Sequence, residues 1–127
     1  MVGTTYERLA VDAPPGTVVD TLRDLLRERG ITECAVVDHG RDMFAAGQAA
    51  YAAWTLVFGN AAAGARLLAL DLAAAVDIPL RLAVIGRERA SEIVLRDMRT
   101  LLADADAVAD DFTTVLRELA EAARDRL

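Results

Sequence analysis

The sequence predicts a single α+β domain over residues 1–127, a mainly antiparallel sheet of about five strands packed by three main helices. Three observations predict it. Short runs of β-branched and aromatic residues recur between glycine- and proline-containing turns. Two of these runs, between Pro79 and Arg96, lie close enough to pair as a hairpin. Two long stretches repeat apolar residues at helical spacing. A chain of this length buries roughly two-thirds of the surface its unfolded form exposes, enough for one core without a disulfide or metal.

Thr4 to Val11 alternates well enough for a first strand, stopped by the turn Asp12-Ala-Pro-Pro-Gly16. From Pro15 to Arg29, Val18, Val19, Leu22, Leu25 and Leu26 share one helical face, with Asp20, Arg23, Asp24 and Arg27 opposite and Gly30 as the stop. Ile31 to Val37 is a second strand that runs into Asp38-His39-Gly40, and a short helix is expected over Arg41 to Ala46. Tyr51 to Phe58 is the third strand, with Trp54, Leu56 and Phe58 on one face.

Asn60 is a good N-cap for Ala61 to Ala75, apolar nearly all round and therefore expected to be buried against the sheet or a partner chain. Pro79 opens a strand in which Leu80, Leu82 and Val84 share a face. A polar turn at 86–90 leads to a return strand, Glu92 to Arg96. Asp104 to Leu127 closes the chain as an amphipathic helix with acids near its start and arginines near its end, as the helix dipole favours. No repeat, linker or low-complexity tail interrupts these elements.

The formal charge of −6 leaves no electrostatic footprint for nucleic acid or an anionic membrane surface. All 14 basic residues are arginine, which removes Schiff-base lysine chemistry and a phosphate-loop lysine. One cysteine allows no intrachain disulfide, and the first residues lack a signal peptide's basic and apolar regions, so the expected location is cytoplasmic. The apolar run Leu67 to Val76 is short and interrupted by Asp71, so no membrane span is expected.

His39 is the only histidine, so any histidine-dependent acid–base step rests on it. In an extended segment Asp38 and His39 point to opposite faces, which makes the distant Asp97 the better orienting carboxylate. Asn60 opens a helix whose first N–H groups can receive an anion or a polarised carbonyl; the plainer reading is that Asn60 caps them itself. Trp54 is a candidate pocket wall, and a core role competes for it. Cys34 reads as a small buried hydrophobe within a strand. Ser91 lacks a hydrolase context, and neither the acidic run from Asp104 to Asp111 nor the single His and Cys makes a metal cluster. No cofactor is implied.

The ordered pieces Val36-Val-Asp38-His39-Gly40, Leu56-Val-Phe-Gly-Asn60, Gly64-Ala-Arg-Leu and Asp77-Ile-Pro-Leu80 resemble the family called domain of unknown function 302 over nearly the whole chain. The resemblance implies a small α+β protein of bacterial or archaeal type that forms homodimers, with His39 and Asn60 as pocket residues. Two places depart from the family pattern. Ala61 and Ala62 follow Phe-Gly-Asn where a proline and a basic residue are common, and Leu95-Arg-Asp97-Met98 keeps only the acid of a Tyr-Asn-Asp-Pro-like segment.

Three functions compete. The first is a dimeric module binding a small molecule in an apolar cleft near His39 and Asn60, with Asp38, Trp54 and Asp97 close by. The second is an isomerase, cyclase or lyase with His39 as general acid–base and Asp97 as its partner. The third is a structural or regulatory dimerisation protein. Binding is preferred, because one histidine without a demonstrated partner defines no mechanism.

Overall fold

The structure, a computed structural model, describes residues 6–100 and 106–127. Its centre is a five-stranded sheet in the order β1-β5-β4-β3-β2, formed by β1 (Tyr6–Val11), β2 (Thr32–Asp38), β3 (Ala53–Gly59), β4 (Leu80–Arg87) and β5 (Ala90–Arg96). Every neighbouring pair is antiparallel. Edge strands β1 and β2 therefore point the same way, and α1 (Pro15–Glu28) carries the chain from one edge to the other across a single face. The closing helix α4 (Asp106–Arg126) lies beside α1 on that face. Thr4 and Thr5 of the expected first strand, and Asp104, the expected start of the closing helix, lie outside the described residues.

Strand alternation explains why the helices choose one side. Val11, Leu56, Phe58, Leu82, Val84 and Ile93 all point to the α1/α4 face and are at most 2% exposed. The register confirms the sidedness, since Leu56 stands opposite Leu82 and Val84 opposite Ile93. Residues of the alternate set, such as Thr55, Val57, Ala83, Ile85 and Val94, are none of them fully buried. The sheet thus has one packed and one bare face, the common condition of an antiparallel sheet. Glu7 and Arg117 tie β1 to α4 with a two-point ion pair, Arg117 Nε donating to Glu7 Oε2 at 3.0 Å. That guanidinium holds the Glu7 carboxyl below its ordinary value.

Two expectations need correction. The alanine-rich stretch is not one buried helix: α3 (Ala61–Leu68) ends, and a separate 3-10 turn occupies Leu72–Asp77. Asp71 divides them, because its side chain accepts from the Ala73 N–H at 2.9 Å and restarts the chain in a new direction. Only Leu67 and Ala74 of this region are buried, while Leu70, Leu72 and Val76 are 59%, 77% and 81% exposed. Cys34 is exposed rather than buried. It lies on edge strand β2 at the register shift between Glu33 and Ala35, where the extra residue leaves the ladder.

Pro79 precedes β4 as expected, and the Ile78–Pro79 peptide bond is cis. The hairpin is longer than the sequence suggests: Arg87 pairs with Ala90, leaving Glu88 and Arg89 alone as the turn. The closing helix bears Phe112, Leu116 and Leu119 inward. Leu82, 1% exposed on a central strand beneath both helices, tests this core. Leu82→Ala is expected to lower the unfolding free energy by about 2–5 kcal/mol, read as a lower urea midpoint at unchanged slope.

Candidate functional site

The residues singled out in the sequence divide between the two ends of the sheet. Asp38, the last residue of β2, stands opposite Trp54 near the start of β3. Its Oδ1 accepts from the Arg41 N–H at 3.0 Å and caps a short helix, α2 (His39–Ala45). His39 turns the other way: its Nε2 lies 2.7 Å from the Thr55 hydroxyl oxygen, on the bare face. Trp54 shares the Asp38 side and packs against the core, half-buried. The Asp-His pair therefore makes no dyad, as expected for neighbours in an extended chain, and Trp54 is across the sheet from the imidazole. Gly40 is required for the close turn, because a Cβ there would stand 2.6 Å from the Tyr51 carbonyl oxygen.

Asn60 and Asp97 occupy the opposite end. β3 ends at Gly59, opposite Thr32, the first residue of β2. Asn60 is thus removed from His39 by most of the length of a strand, roughly 15–20 Å at the usual rise per residue. Its Oδ1 accepts from the N–H groups of Ala62 at 2.9 Å and Ala63 at 3.3 Å. Two of the helix-start donors proposed for an anion are thus taken by the cap, as the plainer reading of Asn60 has it. The imidazole and the amide do not share a hollow.

Asp97 follows β5 at this same end and cannot orient His39. Its carboxylate is instead clamped by Arg99, with the guanidinium 2.6 Å from Oδ2 and the backbone N–H 3.0 Å from Oδ1. These hydrogen bonds from Arg99 pull the Asp97 carboxyl from its ordinary 3.8 to about 2. An acid so weakly basic is poorly matched to proton transfer near neutral pH.

A concavity lies at the Asp97 end. A cleft of about 300 Å³ opens between the approach to β4 and the end of β5. Val76, Pro79, Leu80 and Met98 make its apolar wall. Asp77, Arg81 and Arg96 supply its charged groups. Sequence reasoning missed both arginines, although a signal for one was present. The Leu80, Leu82, Val84 alternation already assigns Arg81 to the opposite face; that Arg96 lines the same cleft required the folded hairpin. Among the described residues no group of three or more His, Cys, Asp or Glu is placed to hold a metal ion. No helix among them is long and apolar enough to cross a membrane.

A family model described as "Domain of unknown function DUF302" matches residues 7–126. Among solved structures, an uncharacterized conserved DUF302 protein from Bacillus stearothermophilus aligns with a TM-score of 0.81 at 17% identity, covering 98% of each chain. At that identity the likeness shows the fold. No curated protein matches the chain.

If Asn60 acts as a cap, Asn60→Ala costs about 1 kcal/mol of stability while Asn60→Asp retains nearly all of it, a comparison for thermal or urea unfolding. Asp97 sets a pH dependence whose sign is fixed by its lowered folded-state value. Its contribution is complete above the ordinary 3.8 and disappears as pH falls through about 2. Across that interval Asp97→Asn should show a shallower fall in urea midpoint than the parent chain.

Proposed function

The chain belongs to the DUF302 family, and from that premise we propose that it is a small-molecule-binding module acting as a pair of chains. Its ligand is seated in the cleft at the Asp97 end of the sheet. The observation that carries this reading is the cleft itself, about 300 Å³, with Val76, Pro79, Leu80 and Met98 on its wall and Asp77, Arg81 and Arg96 beside them. An apolar wall facing convergent charged groups can hold and orient a small organic ligand. The pairing of two chains draws support from Leu70, Leu72 and Val76, apolar side chains left largely in solvent around the 3-10 turn. The exposed, unpaired Cys34 suits the reducing cytoplasm as the place of action.

Binding is favoured over catalysis by the partners the polar residues have. His39 is held by the Thr55 hydroxyl, with Asp97 at the other end of the sheet and tied to Arg99. His39 and Asn60 thus stand outside the cleft in this reading, one on the bare face and one in a helix cap.

Fragment screening by nuclear magnetic resonance tests the proposal. Binders are expected to shift the amide signals of Val76, Asp77, Leu80 and Met98 ahead of those around His39. Shifts clustered around His39 and Thr55 alone would relocate the site and overturn this reading. Sedimentation checks the pairing, where a monomer at every concentration removes it.

A further inference from the structure

We propose that the cleft is an anion site, in which Arg81 and Arg96 together take the carboxylate or phosphate group of a small organic molecule. The proposal rests on the binding reading above and deepens it by naming the ligand's chemistry.

The hairpin carries the two arginines to one cleft. The β4–β5 ladder runs from Arg87–Ala90 to Ala83–Val94, and beyond it Arg81 near the start of β4 and Arg96 at the end of β5 both line the hollow. Both side chains belong to the bare face, because Leu80, Leu82 and Leu95 fill the packed one. Both also line the cleft.

Like charges held at one cleft repel each other in a free protein. Among the described residues neither guanidinium is within ion-pair distance of a carboxylate. Scarcity of acid is not the reason, since 20 acidic residues outnumber 14 arginines. On the same face Arg8 and Arg87 converge on Glu92 at 3.4 and 2.8 Å, so one carboxylate bridges those two guanidiniums. Among the described residues no acid bridges Arg81 and Arg96 in this way.

Arg96 is already held in place. Its guanidinium carbon stands 5.0 Å from the centre of the Tyr6 ring, and one of its nitrogens donates to the Tyr6 hydroxyl at 3.2 Å. A stacked guanidinium loses little further freedom when it meets an anion, and its planar fork matches a carboxylate or phosphate. Arg81 makes no side-chain hydrogen bond among the described residues and supplies the second fork from the adjoining strand. Val76 and Pro79 rise beside the pair as an apolar lip. Asp77 lines the same cleft and offers the ligand an acceptor. It disfavours bare, multiply charged ions and favours an anionic group carried on an apolar body with a donor of its own. In a chain of net charge −6, attraction of an anion has to be local to these two side chains.

The test titrates the intact protein with benzoate, phenyl phosphate and the neutral analogue benzamide, followed by amide shifts and calorimetry. At least one anionic probe is expected to bind about tenfold more tightly than benzamide, the worth of one charge-assisted hydrogen bond. Its shifts should centre on Arg81, Arg96 and Val76, and the tighter of the two anions identifies the group preferred. Arg81→Gln, a change at an exposed side chain, should remove that preference without lowering the melting temperature and leave benzamide affinity unchanged. Arg96→Gln should act in the same direction. Equal affinity for benzamide and both anions, or an anion preference that survives both substitutions, overturns the anion site while the binding reading stands. No perturbation of the cleft by any of the three at millimolar concentration counts against the cleft as a binding site and removes both.

Discussion

The period-two alternation of side chains along the strands, with only one of the resulting faces packed, is the constraint on which the molecule depends. Leu56, Leu82, Val84 and Ile93 project to one side, and both long helices gather there because that is where apolar surface can leave water. A one-residue slip of any central strand would exchange its buried set for its solvent set, so register is strongly specified throughout β3, β4 and β5. The order β1-β5-β4-β3-β2 then follows from connections between nearest neighbours and one long crossing by α1. The same constraint produces the bare face. Every residue excluded from the helix side has to stand on the other, and the cleft and its arginines are part of that remainder.

Electrostatics are arranged around this division. Long-range ion pairs fasten the periphery: Arg117 with Glu7 joins α4 to β1, Arg126 with Glu28 joins the ends of the two long helices, and Arg66 with Asp111 holds α3 to α4. Such pairs on partly exposed side chains contribute little individually, and their value is in fixing which surfaces meet. In a chain so well supplied with acid, two arginines at one cleft that make no ion pair among the described residues stand apart from this arrangement. Departures from local consistency tend to gather where a protein binds something.

Much of the fold was legible because it is written in local patterns. The Val18, Leu22, Leu25 face announces α1, and the Leu80, Leu82, Val84 alternation announces β4 and its packed side. The turn at Asp38-His39-Gly40 reads correctly as a place where two neighbours part. Misjudgements arose where a residue's environment depends on distant chain. Apolar content alone made Leu70 and Leu72 look buried, yet Asp71 folds back on the Ala73 N–H and leaves them in solvent. Cys34 has apolar neighbours in sequence, but its strand is an edge with a bulge, and nothing in the local pattern reveals an edge.

The candidate site divides the same way. Composition, periodicity and turn chemistry are properties of short stretches, so the linear order of residues was enough to assign an α+β class, five strands, their inward faces and the capping role open to Asn60. Which strand lies beside which is settled by pairings between residues far apart in the chain. That antiparallel pairing sends His39 to one end of β3 and Asn60 with Asp97 to the other, and the hairpin brings Arg81 and Arg96 to one cleft although fourteen residues separate them along the chain. Proximity of this kind is created by folding the backbone back on itself, and no spacing along an unfolded chain contains it.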